Sequence, residues 1–103
     1  MIKVSVFYPY SQGVKFDMGY YLQKHIPMVQ KLVGPALKAI TVEQGIAGGA
    51  PGATITYTTI AHLTFNSVDT FQAAFGAHST EIMADVPNYT AIQPIIQISE
   101  VKL

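Results

Sequence analysis

The order in which apolar patterns follow one another is the feature of this sequence that most constrains its fold. Two segments, residues 17–34 and 67–87, carry apolar residues at helical spacing, and Asp17 is a good N-cap for the first. Four other segments alternate apolar and polar residues, which is typical of strands: residues 2–8, 37–46, 55–66 and 95–101. The pattern therefore predicts strand, helix, strand, strand, helix, strand.

That order is typical of an α+β domain of the ferredoxin-like βαββαβ type, with an antiparallel sheet and both helices on one face. Residues 1–103 suffice for one such domain. No segment remains to cover the second face of the sheet. Half of the residues are apolar, 12% are charged and the net charge is zero, so little repulsion keeps copies apart. We therefore expect a homodimer that pairs sheet against sheet and buries more than roughly 1,200 Å².

The composition excludes several classes of function. All six basic residues are lysines scattered along the chain, whereas nucleic-acid binding proteins cluster basic residues and favour arginine. The absence of cysteine excludes disulfides, thiolate metal sites and a cysteine nucleophile. The glycine-rich residues 47–52 lack the Lys-Ser/Thr that follows a phosphate-binding loop. With no signal-peptide or membrane-spanning pattern, we expect a cytoplasmic protein with neither nucleic-acid nor membrane partners.

His25 is the residue that most suggests chemistry. Helical counting places it on the apolar stripe of the first helix, with Met18 and Leu32. Pro27 has no N–H to donate to the carbonyl of Gln23, so we expect the helix to kink or loosen at His25. An inward histidine beside irregular backbone is either a structural core residue or a catalytic one that faces a pocket. An imidazole titrates near neutral pH, which suits a general acid or base.

Five further residues are candidates for binding a substrate. Tyr20, Tyr21 and Tyr57 could orient it through their hydroxyls, and the alternative for each is core packing. His62 and His78 complete the set. Because helical counting places His78 in the middle of the second helix and on its apolar side, we predict that it is mainly structural, and that His78→Ala costs about 1–3 kcal/mol.

The sequence does not predict a metal or cofactor site. The carboxylates nearest to the three histidines are those of Asp17, Glu81 and Asp85, and their spacing matches no recognised set of metal ligands. No Gly-rich strand-to-helix fingerprint for a dinucleotide is present either.

Two motifs resemble the EthD family, which is named for a component of ethyl tert-butyl ether degradation clusters. The first is Phe16-Asp17, followed by Tyr20-Tyr21 and Lys24-His25-x-Pro27; the second runs from Phe75-Gly76-Ala77-His78 through Asp85 to Tyr89. The resemblance implies a dimeric α+β barrel with an internal cleft in each subunit. It also implies an accessory role beside an oxygenase in ether or xenobiotic degradation, in a family whose members are loosely labelled oxidoreductases.

Two functions from different classes stay open. One is a binding or accessory protein that holds a small hydrophobic metabolite or supports an oxygenase partner. The other is an enzyme that needs no cofactor, of the isomerase, cyclase, dehydratase or oxidoreductase type. It would use His25 as general acid and base on a small, mostly apolar molecule such as a carbonyl compound or a lactone.

Overall fold

Four antiparallel strands form one sheet in the computed structural model of the protein, which describes residues 1–103. The strands are β1, Ile2–Pro9; β2, Ala39–Gln44; β3, Tyr57–Phe65; and β4, Ile95–Glu100. They lie in the order β2-β3-β1-β4, and every neighbouring pair is antiparallel. With helices after β1 and β3, this is the predicted ferredoxin-like arrangement. β2 and β3 are shorter than predicted because residues 45–56 form the loop between them.

The first helical region has the predicted cap and the predicted irregularity. It consists of α1, Met18–Tyr20; a π-helical turn, Tyr21–His25; α2, Ile26–Val33; and a 3₁₀ turn, Gly34–Ala36. The Asp17 carboxylate accepts a hydrogen bond from the backbone N–H of Tyr20 at 3.0 Å, as an N-cap does. Gly34 adopts φ +69°, a left-handed conformation that favours glycine, and it ends α2.

The π-helical turn lies where Pro27 was expected to loosen the helix. The backbone N–H of Ile26 donates to the carbonyl of Tyr21, five residues earlier rather than four. Pro27 itself cannot donate, so the α-helical bond to Gln23 is missing in the same turn. Single π turns inside α-helices often occur at functional sites. Here the turn carries Tyr21 and His25, both buried.

The second helical region is broken, and this corrects the prediction for His78. It consists of α3, Val68–Gly76; α4, Ser79–Ala84; and a 3₁₀ turn, Val86–Asn88. Gly76, a poor helix former, ends α3, and the N–H of His78 donates to the carbonyl of Phe75, only three residues back. His78 is therefore the residue before α4 rather than a mid-helix residue, and its side chain is 32% exposed.

The two faces of the sheet have different surroundings. The face that we call the covered face packs against α2, α3 and α4, and its residues on β1 and β3 are Ile2, Val4, Val6, Tyr8, Thr59, Ala61, Leu63 and Phe65. Alternation places the opposite set on the open face: Lys3, Ser5, Phe7, Ile60, His62 and Thr64, with Thr41 and Glu43 of β2 beside them. No element of the chain packs over the open face. None of the helices has the length and apolar character needed to cross a membrane.

Candidate functional site

A carboxylate partner orients the buried His25. His25 is 4% exposed, and its Nδ1 lies 2.8 Å from Oδ2 of Asp85, the residue that follows α4. The other carboxylate oxygen, Oδ1, accepts hydrogen bonds from the Tyr20 hydroxyl at 2.7 Å and from the Asn88 side-chain amide at 2.9 Å. Three donors from two helical regions thus hold one carboxylate, and that carboxylate fixes the imidazole ring.

The surroundings determine the protonation of this pair. Burial lowers the pKa of His25 and outweighs the opposing effect of Asp85, so the imidazole is neutral at pH 7. Burial alone would raise the pKa of Asp85, but the hydrogen bonds from Tyr20, Asn88 and His25 hold it below its usual value. Since an ionised carboxylate only accepts, the imidazole carries its proton on Nδ1 and keeps a free lone pair on Nε2.

Tyrosine side chains surround the other side of the imidazole. The Tyr89 hydroxyl lies 3.4 Å from His25 Nε2 and 2.8 Å from the Tyr8 hydroxyl. Tyr21 stacks on the imidazole with 5.3 Å between ring centroids and 15° between planes. Burial raises the pKa of Tyr8, Tyr21 and Tyr89 well above the usual range, so all three remain protonated at pH 7. The long Tyr89 contact leaves the Nε2 lone pair only weakly engaged.

A cavity of about 50 Å³, which we call the inner cavity, opens beside this ring. His25, Tyr8, Tyr21 and Tyr89 form its polar end, and the rest of its wall is apolar: Val6, Ile26, Val29, Leu63, Phe75, Ile82, Met83, Val86, Pro94 and Ile96. A single water needs about 10–15 Å³ by such a measure, so the space accepts a small molecule or a small part of a larger one. The arrangement places a neutral base at the end of an apolar cavity.

Comparison with known proteins identifies the family. A family model described as the EthD domain matches residues 13–93. This protein belongs to the EthD family. An EthD-like protein from Ralstonia eutropha JMP134 is 44% identical, with a TM-score of 0.94 and coverage of 99% of this chain and 92% of that one.

Two other solved structures share the fold of this EthD protein at lower identity. An ethyl tert-butyl ether degradation (EthD) family protein from Bacillus halodurans C-125 is 18% identical, with a TM-score of 0.69 and coverage of 99% of both chains. A protein of unknown function from Thermobifida fusca YX, described as a dimeric ferredoxin-like protein, is 15% identical, with a TM-score of 0.65 and coverage of 97% of this chain and 90% of that one. A search of curated proteins finds no match.

The fold brings some of the candidate residues to His25 and leaves others apart. Tyr21 lines the inner cavity, and Tyr20 lies behind it, where it binds Asp85. Tyr57 packs against Phe7 instead, with 4.9 Å between ring centroids.

The other two histidines also lie away from the inner cavity. His62 is on the open face, where its Nδ1 lies 2.7 Å from Ser5 Oγ and its Nε2 lies 3.4 Å from Glu43 Oε1. His78 lies 3.4 Å from the exposed Glu81 carboxylate in the next turn.

Sequence reasoning missed Asp85, Tyr8 and Tyr89 as functional candidates. Asp85 is 60 positions from His25 in the chain, and Tyr89 is 81 positions from Tyr8, so only the fold shows that they meet. The one available signal was the second EthD motif, which contains both Asp85 and Tyr89. No three His, Asp or Glu side chains come together in a group that could hold a metal ion.

Proposed function

We propose that this EthD protein is an enzyme that moves a proton on a small, mostly apolar molecule, with His25 as general base and then general acid. The observation that carries the proposal is an imidazole whose Nδ1 is fixed by Asp85, whose Nε2 has only the 3.4 Å contact with Tyr89, and whose ring lines an apolar cavity. A general base needs a lone pair within reach of the substrate and a partner that stabilises the protonated ring. Asp85 supplies that partner.

The proton transfer follows from this geometry. A ligand in the inner cavity loses a proton to Nε2, which leaves an imidazolium between the ligand and the Asp85 carboxylate. The carboxylate 2.8 Å from Nδ1 stabilises that cation. Tyr89 and Tyr8 stay protonated, so their hydroxyls can donate to a ligand oxygen on which negative charge develops. Return of the proton from Nε2 to a different atom of the ligand completes an isomerisation; delivered instead to a departing oxygen as its bond to carbon breaks, the proton completes an elimination.

Incorporation of solvent deuterium tests the proposal. We would incubate the protein in D₂O with small ketones and lactones, and follow exchange next to the carbonyl by NMR. His25→Ala should abolish exchange above the background rate. Asp85→Asn should slow it about 100-fold or more, because the new amide can donate to Nδ1 and thereby moves the imidazole proton to Nε2. Tyr57→Phe, away from the cavity, is the matched control and should exchange as the wild type does.

A ligand carrier without chemistry is the second candidate, favoured by the mostly apolar wall of the inner cavity. In that role the protein would hold a hydrophobic metabolite, and the accessory role that the EthD resemblance implies would place it beside an oxygenase in ether or xenobiotic degradation. Ligands that shift the His25 ring signals in NMR titrations, with no deuterium exchange of any of them, would favour the carrier over the enzyme.

We also propose that two copies pair through their open faces. The open face carries apolar Phe7 and Ile60, and no part of the chain covers it. The related Thermobifida fusca protein is described as dimeric, which supports the same assembly here. Sedimentation should give a dimer at micromolar concentration. Phe7→Lys places a charge on the open face and should give a folded monomer, whereas Leu22→Lys on the first helical region should remain dimeric.

A further inference from the structure

A second cavity lies against the inner one. It measures about 160 Å³, and we call it the outer cavity. Its wall comes from the end of α4 and the chain that leads into β4, including Pro87, Thr90 and Gln93. Met83, Val86 and Pro94 line both cavities, so these three residues form the partition between them.

Met83 is the member of this partition that can move. Val86 is only 9% exposed and belongs to the core, and Pro94 has a rigid ring. Met83, by contrast, is 41% exposed, and its side chain is unbranched with three rotatable bonds. A rotation of that side chain would join the space beside His25 to the larger space outside it. The identity of residue 83 should therefore determine how long a ligand the two cavities hold together.

The charges around the two cavities restrict the ligand further. No lysine side chain lines either cavity, and the Asp85 carboxylate lies behind His25, which lines the inner one. A carboxylate or phosphate group buried here would have no cation to pair with and would be repelled by Asp85. An uncharged ligand meets neither cost.

We propose that the substrate is an uncharged, elongated molecule, whose reacting end occupies the inner cavity and whose remaining chain passes Met83 into the outer cavity. This inference rests on the proposed role of His25, and it makes Met83 the residue that determines the accepted length. The inner cavity of about 50 Å³ holds the reacting group, and the outer cavity of about 160 Å³ holds the chain.

Affinity measured along a series of methyl ketones tests this. We would titrate butanone, hexanone, octanone and decanone by NMR, with octanoate as the charged analogue. In the wild type each additional buried methylene should tighten Kd by about threefold to fourfold until the outer cavity is full. Met83→Phe should block the passage between the two cavities. The ratio of the butanone Kd to the decanone Kd should therefore be smaller than in the wild type by about tenfold or more. Met83→Ala should keep the wild-type rise or extend it.

Leu22→Ala is the matched control, because Leu22 is a comparably exposed apolar residue on a helical region and lines neither cavity. It should retain the wild-type length profile. Two results would overturn the inference: a Met83→Phe profile equal to that of Leu22→Ala, or octanoate binding as tightly as octanone at neutral pH.

Deuterium exchange of the same ketones separates this inference from the proposed function. If His25 catalyses exchange but residue 83 has no effect on the length preference, the result would support the proposed enzyme and contradict the two-cavity substrate. If the length preference depends on residue 83 but no ketone exchanges deuterium, the result would support a ligand that spans both cavities and contradict the proposed enzymatic activity.

Discussion

A histidine lies beside a carboxylate on each side of the sheet, but the two pairs differ in almost every other respect. In the helical layer over the covered face, His25 and Asp85 are 2.8 Å apart, and their side chains are 5% and 14% exposed. On the open face, His62 and Glu43 are 3.4 Å apart, and their side chains are 27% and 54% exposed. The comparison shows that a histidine–carboxylate pair is not by itself a sign of function, because the surroundings decide what the imidazole can do.

The free lone pair is the decisive difference. At His25 the carboxylate engages Nδ1, Nε2 has only the long contact to Tyr89, and the residue lines the inner cavity. At His62 both nitrogens have partners, Ser5 on Nδ1 and Glu43 on Nε2. His62 lines neither the inner cavity nor the outer one. The His25 arrangement can accept a substrate proton. Ser5, His62 and Glu43 instead form a line of polar side chains across three strands, which we call the polar row.

The largest expected difference between the two faces concerns stability. Phe65 on the covered face is fully buried and packs against Phe71 with 5.1 Å between ring centroids. Phe65→Ala should lower the free energy of unfolding by about 3–5 kcal/mol, because it leaves a cavity in the core. Phe7→Ala on the open face should cost less than half as much. Urea unfolding at low protein concentration, where any dimer dissociates, measures both; equal losses would contradict the assignment of the faces.

The second prediction concerns pH. The pKa of His25 is lowered in the folded state, so below about pH 6.5 the unfolded chain binds a proton that the folded protein does not. The free energy of unfolding should therefore fall as the pH falls below that point, by as much as about 1.4 kcal/mol per pH unit. The fall should end once the pH passes below the folded pKa.

Substitution of His25 locates the source of this slope. His25→Gln should remove it, and Leu22→Gln, which changes no titratable group, should leave it in place, when urea unfolding is repeated between about pH 7.5 and pH 5. A slope that persists in His25→Gln would show that the covered-face histidine is not the group that titrates. Asp85 accounts for a separate loss of stability in more acidic solution. Its pKa is lowered in the folded state, so the stability that it contributes is lost only below the ordinary pKa of a carboxylate.

The fold was largely predictable because its signals are local. The alternation of Ile2, Val4, Val6 and Tyr8 determines which side of β1 is buried, and Asp17 marks the start of the first helical region within a residue. Pro27 predicted the irregular turn at His25 for a reason that holds in any helix.

The rest of the site depends on contacts that no local pattern encodes. Asp85 has an ordinary sequence context, and its role appears only when the turn after α4 packs beside the π-helical turn. The prediction that His78 faces inward was wrong, because the apolar stripe of the second helix was counted as if one helix continued through Gly76 and Ala77. Periodicity counts residues correctly only while the helix continues.

The third prediction tests the polar row on the open face. Ser5 is 7% exposed, and its Oγ lies 2.7 Å from His62 Nδ1. Ser5→Ala removes one side-chain hydrogen bond and should cost about 0.5–1.5 kcal/mol of stability. A double-mutant cycle with His62→Ala should give a coupling energy of the same size. A coupling near zero would show that the two side chains are neighbours without a stabilising bond.

The smallest effect is expected for His78→Ala. Its side chain is 32% exposed, its partner Glu81 is 63% exposed, and their 3.4 Å contact lies in solvent. His78 precedes α4 but makes no side-chain capping bond, so the substitution removes no cap. The change in the free energy of unfolding should therefore stay within about 0.5 kcal/mol, below the cost expected from the apolar stripe alone. Urea unfolding of His78→Ala and of Glu81→Ala, compared with the wild type, measures this change. A loss above about 1 kcal/mol in His78→Ala alone would mean that the imidazole packs against the core, and that α3 and α4 form the continuous helix the sequence suggested.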